Sequence, residues 1–255
     1  MGFGTLVRVM APRPSVQTGE RKWPSATTYL AVIGREGDWR DRLQDVIAEH
    51  LMPALEEFEI DQDDLADLLG EQWSGVLWGC GFEDFLGQRY EDGNIIDRYL
   101  KRRGWKETAL NQAYFAGLRD APVSLYEVSE VQPGASMVLR DLLSDAAPVT
   151  VKEKSATRTL KQWDRIAVRV VPERDHHIIS GALLPFRAEA VDFLFAGLRD
   201  ALKLKKRDAL RLSRDQLMGS PSRRSVRAWA CRRCPSASAP RAAISSASIP
   251  VSWRN

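Results

Sequence analysis

The spacing of apolar residues divides the chain into a first part with a helical period and a second part with a strand period. In GDWRDRLQDVIAEHLMPALEEF, Trp39, Leu43, Val46, Ile47, Leu51, Ala54, Leu55 and Phe58 recur at three- and four-residue steps, which predicts an amphipathic helix. Asp38 stands where a cap is wanted, and Pro53 predicts a kink or a break into two helices. An earlier helix is expected in WPSATTYLAVIGREG, opened by Pro24 and Ser25 and closed by Gly34 and Gly37. Asp61 caps a short helix, DQDDLADLLG, that stops at Gly70. The next segment, EQWSGVLWGCGFEDFLGQRY, is apolar around most of its circumference, which predicts a helix in the middle of a bundle. Asn94 caps NIIDRYLKRRG, whose terminal cations suit the negative end of the helix dipole, and Gly104 ends it. ETALNQAYFAGLRD adds one more amphipathic helix before Pro122.

At Pro122 the period falls to two. VSLYEVSEV, ASMVLRDLL, APVTVKEK, DRIAVRVV and HHIISGALL read as five short strands, joined by a type II turn at Pro133-Gly134 and a hairpin over Pro172 to Asp175. Alternation places Ile166, Val168 and Val170 on one face, with Ala167 and Arg169 on the other; Val149 and Val151 point inward, Thr150 and Lys152 outward. Five strands in so short a stretch predict a small closed or nearly closed barrel, because closure removes exposed edges. After Pro185 the helical period returns in AEAVDFLFAGLRDALKLKK. The fold class is therefore α+β: a flexible leader (1–22), a helical region (23–121), a small five-stranded antiparallel β-barrel (122–186), C-terminal helices (187–218) and a disordered tail (219–255).

Composition changes this picture mainly at the C-terminus. The net charge of +3 conceals seven arginines and no acid after residue 218, so the preceding chain carries −4. A nucleic-acid argument from overall pI would rest on that tail alone. The tail, 219–255, is built of Arg, Ser, Ala and Pro, which reads as disordered and suggests a stretch read out of frame. Three cysteines, no secretory leader and no apolar run near the ~20 residues of a membrane span predict a cytoplasmic protein.

The motifs of common chemistries are missing or incomplete. A calcium loop starting at Asp61 needs Gly and Glu where Ala66 and Gln72 stand. His176 and His177 are adjacent on a strand and so face opposite ways, while Cys231 and Cys234 lack two further ligands, so no metal or other cofactor is expected. No G-x-S-x-G, phosphate-binding loop or dinucleotide fingerprint occurs, and no catalytic residue is assigned. The barrel segment offers the surface with most binding potential. Lys152, Lys154, Arg158, Lys161, Arg165 and Arg169 lie within eighteen residues, with Trp163 among them. Cations around an aromatic platform suit a phosphate backbone and a stacked base. KRRGW, Lys101 to Trp105, is a candidate extension of that patch.

The segments LWGCGFEDFL, DRYLKRRGWKE, SLYEVSEVQPG, VLRDLL, KSATRTLKQWDRIAVRVVP and GALLPF resemble a family of functionally uncharacterised bacterial proteins over roughly residues 23–206. Part of the barrel segment is also similar to proteins that carry a SEC-C zinc motif. The C-x-C and the later Cys-Cys or Cys-His of that motif are absent here, so its zinc function does not carry over. The expected function is a non-enzymatic binding module, for RNA or a protein partner, acting through the barrel. The alternatives are a hydrolase-type enzyme using dispersed carboxylates (Glu83, Asp84, Asp141) at the helix–barrel junction, and a structural subunit of a larger assembly.

Overall fold

The computed structural model describes residues 37–218 except 181, 182 and 206. The expected leader, the helix after Pro24, and the tail with Cys231 and Cys234 lie outside the described residues. Helix α1, Gly37–Phe58, runs on through residue 53 as one helix, with Asp38 in its first turn. The break falls later. Asp61 caps α2 (Gln62–Gly87) by accepting the Asp64 N–H at 2.8 Å, and Gly70 interrupts that helix at φ 74°, ψ 167°. A side chain with a Cβ would be strained at that backbone setting, whereas glycine adopts it readily. Asn94 caps α3 (Ile95–Arg103), and Thr108 caps α4 (Ala109–Asp120) after a single 3₁₀ turn at Gly104–Lys106. The strands follow: β1 Val123–Gln132, β2 Ser136–Asp141, β3 Val149–Lys152, β4 Arg165–Glu173, β5 His176–Ile179 and β6 Leu184–Phe186. Two helices, α5 (Ala188–Ala201) and α6 (Arg214–Met218), complete the order. No helix among the described residues is long and apolar enough to cross a membrane.

Strands β1 to β5 close into a barrel in the order β1-β2-β3-β5-β4, with β4 pairing back to β1; β6 is an added strand on the outer flank of β4. All pairs are antiparallel except β3 with β5, where Val151 opposes His177 in parallel, so the sheet is mixed where the sequence suggested a wholly antiparallel one. The reason is a crossover: the β3–β4 connection passes over one end of the barrel, leaving β5 to return beside β3. Tracing partners once around the ring leads from Pro172 to His177, Val151, Met137 and the bulge before Gln132. It returns to β4 about ten residues out of step, a large stagger that tilts the strands steeply. Val128, Met137, Leu139, Val151, Ile166 and Val168 fill the interior.

Helices cover the barrel unequally, and this decides which surface remains open. Residues Val123–Val128 of β1 are buried without a gap, as are Ile166–Arg169 of β4. Their inner side chains meet the barrel core. On the outside, Leu125 packs with Val191 and Leu194 of α5, while Val171 and Ile178 pack with Trp39, Phe85, Ile96 and Phe115 of the helices. Strands covered on both faces lose the alternating pattern. Strands β2 and β3 keep it: Met137, Leu139 and Val151 are buried, while Arg140, Thr150 and Lys152 face water. The uncovered wall of the barrel is therefore β2–β3.

Candidate functional site

The open wall continues into the β3–β4 connection, where most of the predicted cations stand. This connection is a braced structure. The Glu153 carboxylate accepts the Ser155 and Ala156 N–H groups at 2.7 and 3.2 Å. The Thr157 hydroxyl donates to the Glu153 carbonyl (2.8 Å) and accepts the Gly134 N–H of the β1–β2 turn (2.9 Å). Leu160, 5% exposed, is driven into the barrel core as a plug. A turn then runs from Lys161 to Asp164, whose Oδ2 accepts the Lys161 N–H at 2.7 Å, and the Trp163 N–H ties the turn to the Val128 carbonyl at 2.8 Å. The acids of the segment are thus occupied in capping backbone groups. Its cations are not: Lys152, Lys154, Arg158 and Lys161 are exposed, and none makes an ion pair with another described residue.

Trp163 is 65% exposed and sits at φ 75°, the setting that a turn of this shape ordinarily gives to glycine. A bulky residue there costs about 1–3 kcal/mol in backbone strain, and its ring contributes little burial in return. Arg165 is half-buried, its Nε 3.8 Å from the Glu127 carboxylate, which also receives Arg140. These two arginines share the one Glu127 carboxylate within the sheet.

Arg169 departs from the sequence reading. Expected among the outward cations, it is 3% exposed and lies beneath the helices. Alternation places it on the outer face of the strand, and helices cover that face. Its guanidinium donates to the Leu118 and Ala121 carbonyls at the end of α4 (3.0 and 2.5 Å) and to the Glu83 carbonyl of α2 (2.9 Å). Asp84 lies 3.7 Å from it and also meets His50 Nε2 of α1 at 2.9 Å; the Ser180 hydroxyl donates to Glu83 at 2.7 Å. Glu83 and Asp84 do converge at the helix–barrel junction, each 6% exposed. Asp141 is elsewhere, accepting Ser124, Ser144 and the Leu143 N–H. The junction residues pin elements together, and no sequence signal pointed to His50 as one of them.

The β4–β5 turn borders the same open wall. Arg174 is exposed at φ 51°. His176 bonds Asp175 at 3.0 Å and Glu173 at 3.2 Å. The hydrogen bond from His176 holds the Asp175 carboxyl below its usual range, with Lys152 nearby assisting. Lys152 and this turn are therefore neighbours across β3 and β5. No group of His, Cys, Asp and Glu with metal-binding geometry occurs among the described residues.

No curated protein and no solved structure matches the chain. A family model described as a family of unknown function (DUF7986) matches residues 85–214, just over half of the sequence and all of the barrel, so the chain belongs to that family.

Proposed function

We propose that the protein binds single-stranded RNA across the uncovered end of its barrel. The observation that carries this reading is the stretch from the end of β3 through the β3–β4 connection: four exposed cations that make no ion pair with another described residue share this braced stretch with an exposed tryptophan. Phosphates need the cations and a base needs the ring; stacking on such a ring contributes about 1–3 kcal/mol per base. The barrel supports the same reading. Five-stranded Greek-key barrels of the OB type bind oligonucleotides on the β2–β3 face and on the β1–β2 and β4–β5 loops. Here β2–β3 is the wall that the helices leave open, and Lys152 lies between those two loops. A protein partner is the weaker reading, because among the described residues of the β3–β4 connection the exposed side chains are mainly cationic and Trp163 is the one large apolar side chain exposed.

The test is fluorescence anisotropy of a mixed-sequence RNA oligonucleotide with the full chain across a salt series. Wild type is expected to bind with a steep salt dependence. Neutralising Lys152, Lys154, Arg158 and Lys161 should flatten the log–log salt slope by about 0.7 for each phosphate that no longer meets a cation, and Trp163→Ala should weaken binding at least about fivefold. Comparison within the full chain cancels the arginines after residue 218. Variants that bind as wild type does would refute the site.

A further inference from the structure

We infer that the bound strand continues past the barrel, over the β4–β5 turn, to a second stacking position at Trp105. The inference rests on the proposed function and extends its footprint onto the helical region. Trp105, 77% exposed, stands on the 3₁₀ turn between α3 and α4. The turn is held firmly: the Glu107 N–H and the Gln112 side chain both donate to the Gly104 carbonyl, at 2.9 and 2.8 Å. Tyr99 and Asn111 both donate to the Glu107 carboxylate. Burying the Trp105 ring would have stabilised the fold by roughly 2 kcal/mol or more. The turn instead projects it into water with the Lys106 ammonium 4.9 Å from the ring centre and with Lys101 and Arg102 exposed on the preceding helix turn. An exposed aromatic ring with a cation beside it repeats, on a different element, the chemistry sought at Trp163.

The fold places the two positions on one route. Helix α4 lies along β4 with its first turns beside the end of that strand: Ala109, Leu110 and Ala113 line an open cleft whose far side is Pro172, Glu173 and Arg174. The cleft runs from the first turn of α4, four residues after Trp105 in the chain, to the β4–β5 turn. That turn adjoins Lys152, the first cation of the β3–β4 connection, through the Val151–His177 pairing. Ala109, Leu110, Ala113 and Tyr114 give the cleft a floor that sugar and base can lie on, and Arg174 on its rim serves as a phosphate contact. The carboxylate in the wall, Glu173, is 7% exposed and turned to His176, which reduces its repulsion of a phosphate. Asp175 is the exposed carboxylate on this route, held by His176; a larger exposed acidic group, Glu56, Glu59, Asp61, Asp63, Asp64 and Asp67, lies where α1 meets α2.

The experiment compares RNA oligonucleotides of about 4 and about 16 nucleotides, the limits of site size for one barrel of this kind, on the full chain with Trp105→Ala, Arg174→Ala and Trp163→Ala variants. Trp105→Ala and Arg174→Ala are expected to weaken the long oligonucleotide, the former at least about fivefold, and to leave the short one within about twofold of wild type; Trp163→Ala should weaken both. An unchanged affinity of Trp105→Ala for the long oligonucleotide overturns the extended path while leaving the barrel site standing. Wild type that binds neither length overturns the barrel site and the path together. Vesicles of anionic phosphatidylserine form the control: if Trp105→Ala abolishes their binding and spares the long RNA, Trp105 is a lipid contact and the inference falls.

Discussion

Arg169 shows how one side chain can join four elements. Its planar fork reaches a carbonyl of α2 and the carbonyls at the end of α4, and Asp84 relays the contact to His50 on α1. The space for that fork exists because residue 87 is glycine: a Cβ there would come within 3.0 Å of the Arg169 Nη1. Removing the guanidinium strands a buried carboxylate as well as several carbonyls, so Arg169→Ala should cost about 3–5 kcal/mol. Arg169→Lys keeps the charge without the fork, and should cost less than the alanine change. Urea unfolding of the two variants gives both numbers. If the alanine variant unfolds at the wild-type midpoint, the junction does not depend on this residue. The same residue marks a limit of pattern reading. Strand alternation gives the face on which a side chain lies, but only the helices packed against β4 turn that face into an interior.

Among elements, α4 approaches β4 closely at Gly117. A Cβ at Gly117 would lie 2.8 Å from Val171 Cγ1, a separation that real contacts do not show. In an isolated helix Gly→Ala gains about 1 kcal/mol. Here the added methyl meets a stiff β-branched side chain, so Gly117→Ala should lower the melting temperature despite better helix propensity. Combining it with Val171→Ala should recover part of the loss, giving a non-additive double-mutant cycle. Additive effects would mean that the two elements do not press on one another. Element starts and stops were legible in the sequence wherever one residue carries the signal, as with Asp61, Asn94, Gly104 and the Pro133-Gly134 turn, whose Gly134 has φ 76°. The interruption of α2 at Gly70 was legible too. The continuity of α1 through residue 53 and the extra strand β6 were not, because both depend on what packs alongside.

Taken as a whole, the molecule holds three of its five phenols, those of Tyr90, Tyr99 and Tyr126, in their protonated form. Burial raises Tyr126, with Asp141 adding to the effect, and burial also raises Tyr99 and lifts Tyr90 to about 12. In the unfolded chain a tyrosine ionises near pH 10. Each shift therefore favours the folded state fully below about pH 10 and is lost as pH rises from there toward the folded value. The melting temperature should be level with respect to these groups up to about pH 10 and then fall, with tyrosinate absorbance appearing together with unfolding. Tyr126→Phe should lessen the fall. Tyrosinate absorbance from more than two of the five tyrosines at pH 10 in a still-folded protein would contradict the burial on which the argument depends.

At this scale the division between sequence and structure is clear. The residues themselves determined the change from helix to strand at Pro122, the closure of short strands into a barrel, and the concentration of lysine and arginine between residues 152 and 169, since period and composition are local properties. Tertiary structure alone decided which of those cations meet water. It buried Arg169, drew Arg165 toward Glu127, and left β2–β3 uncovered. The reason is physical: exposure and pairing are set by contacts between elements distant in the chain, and no local pattern records them.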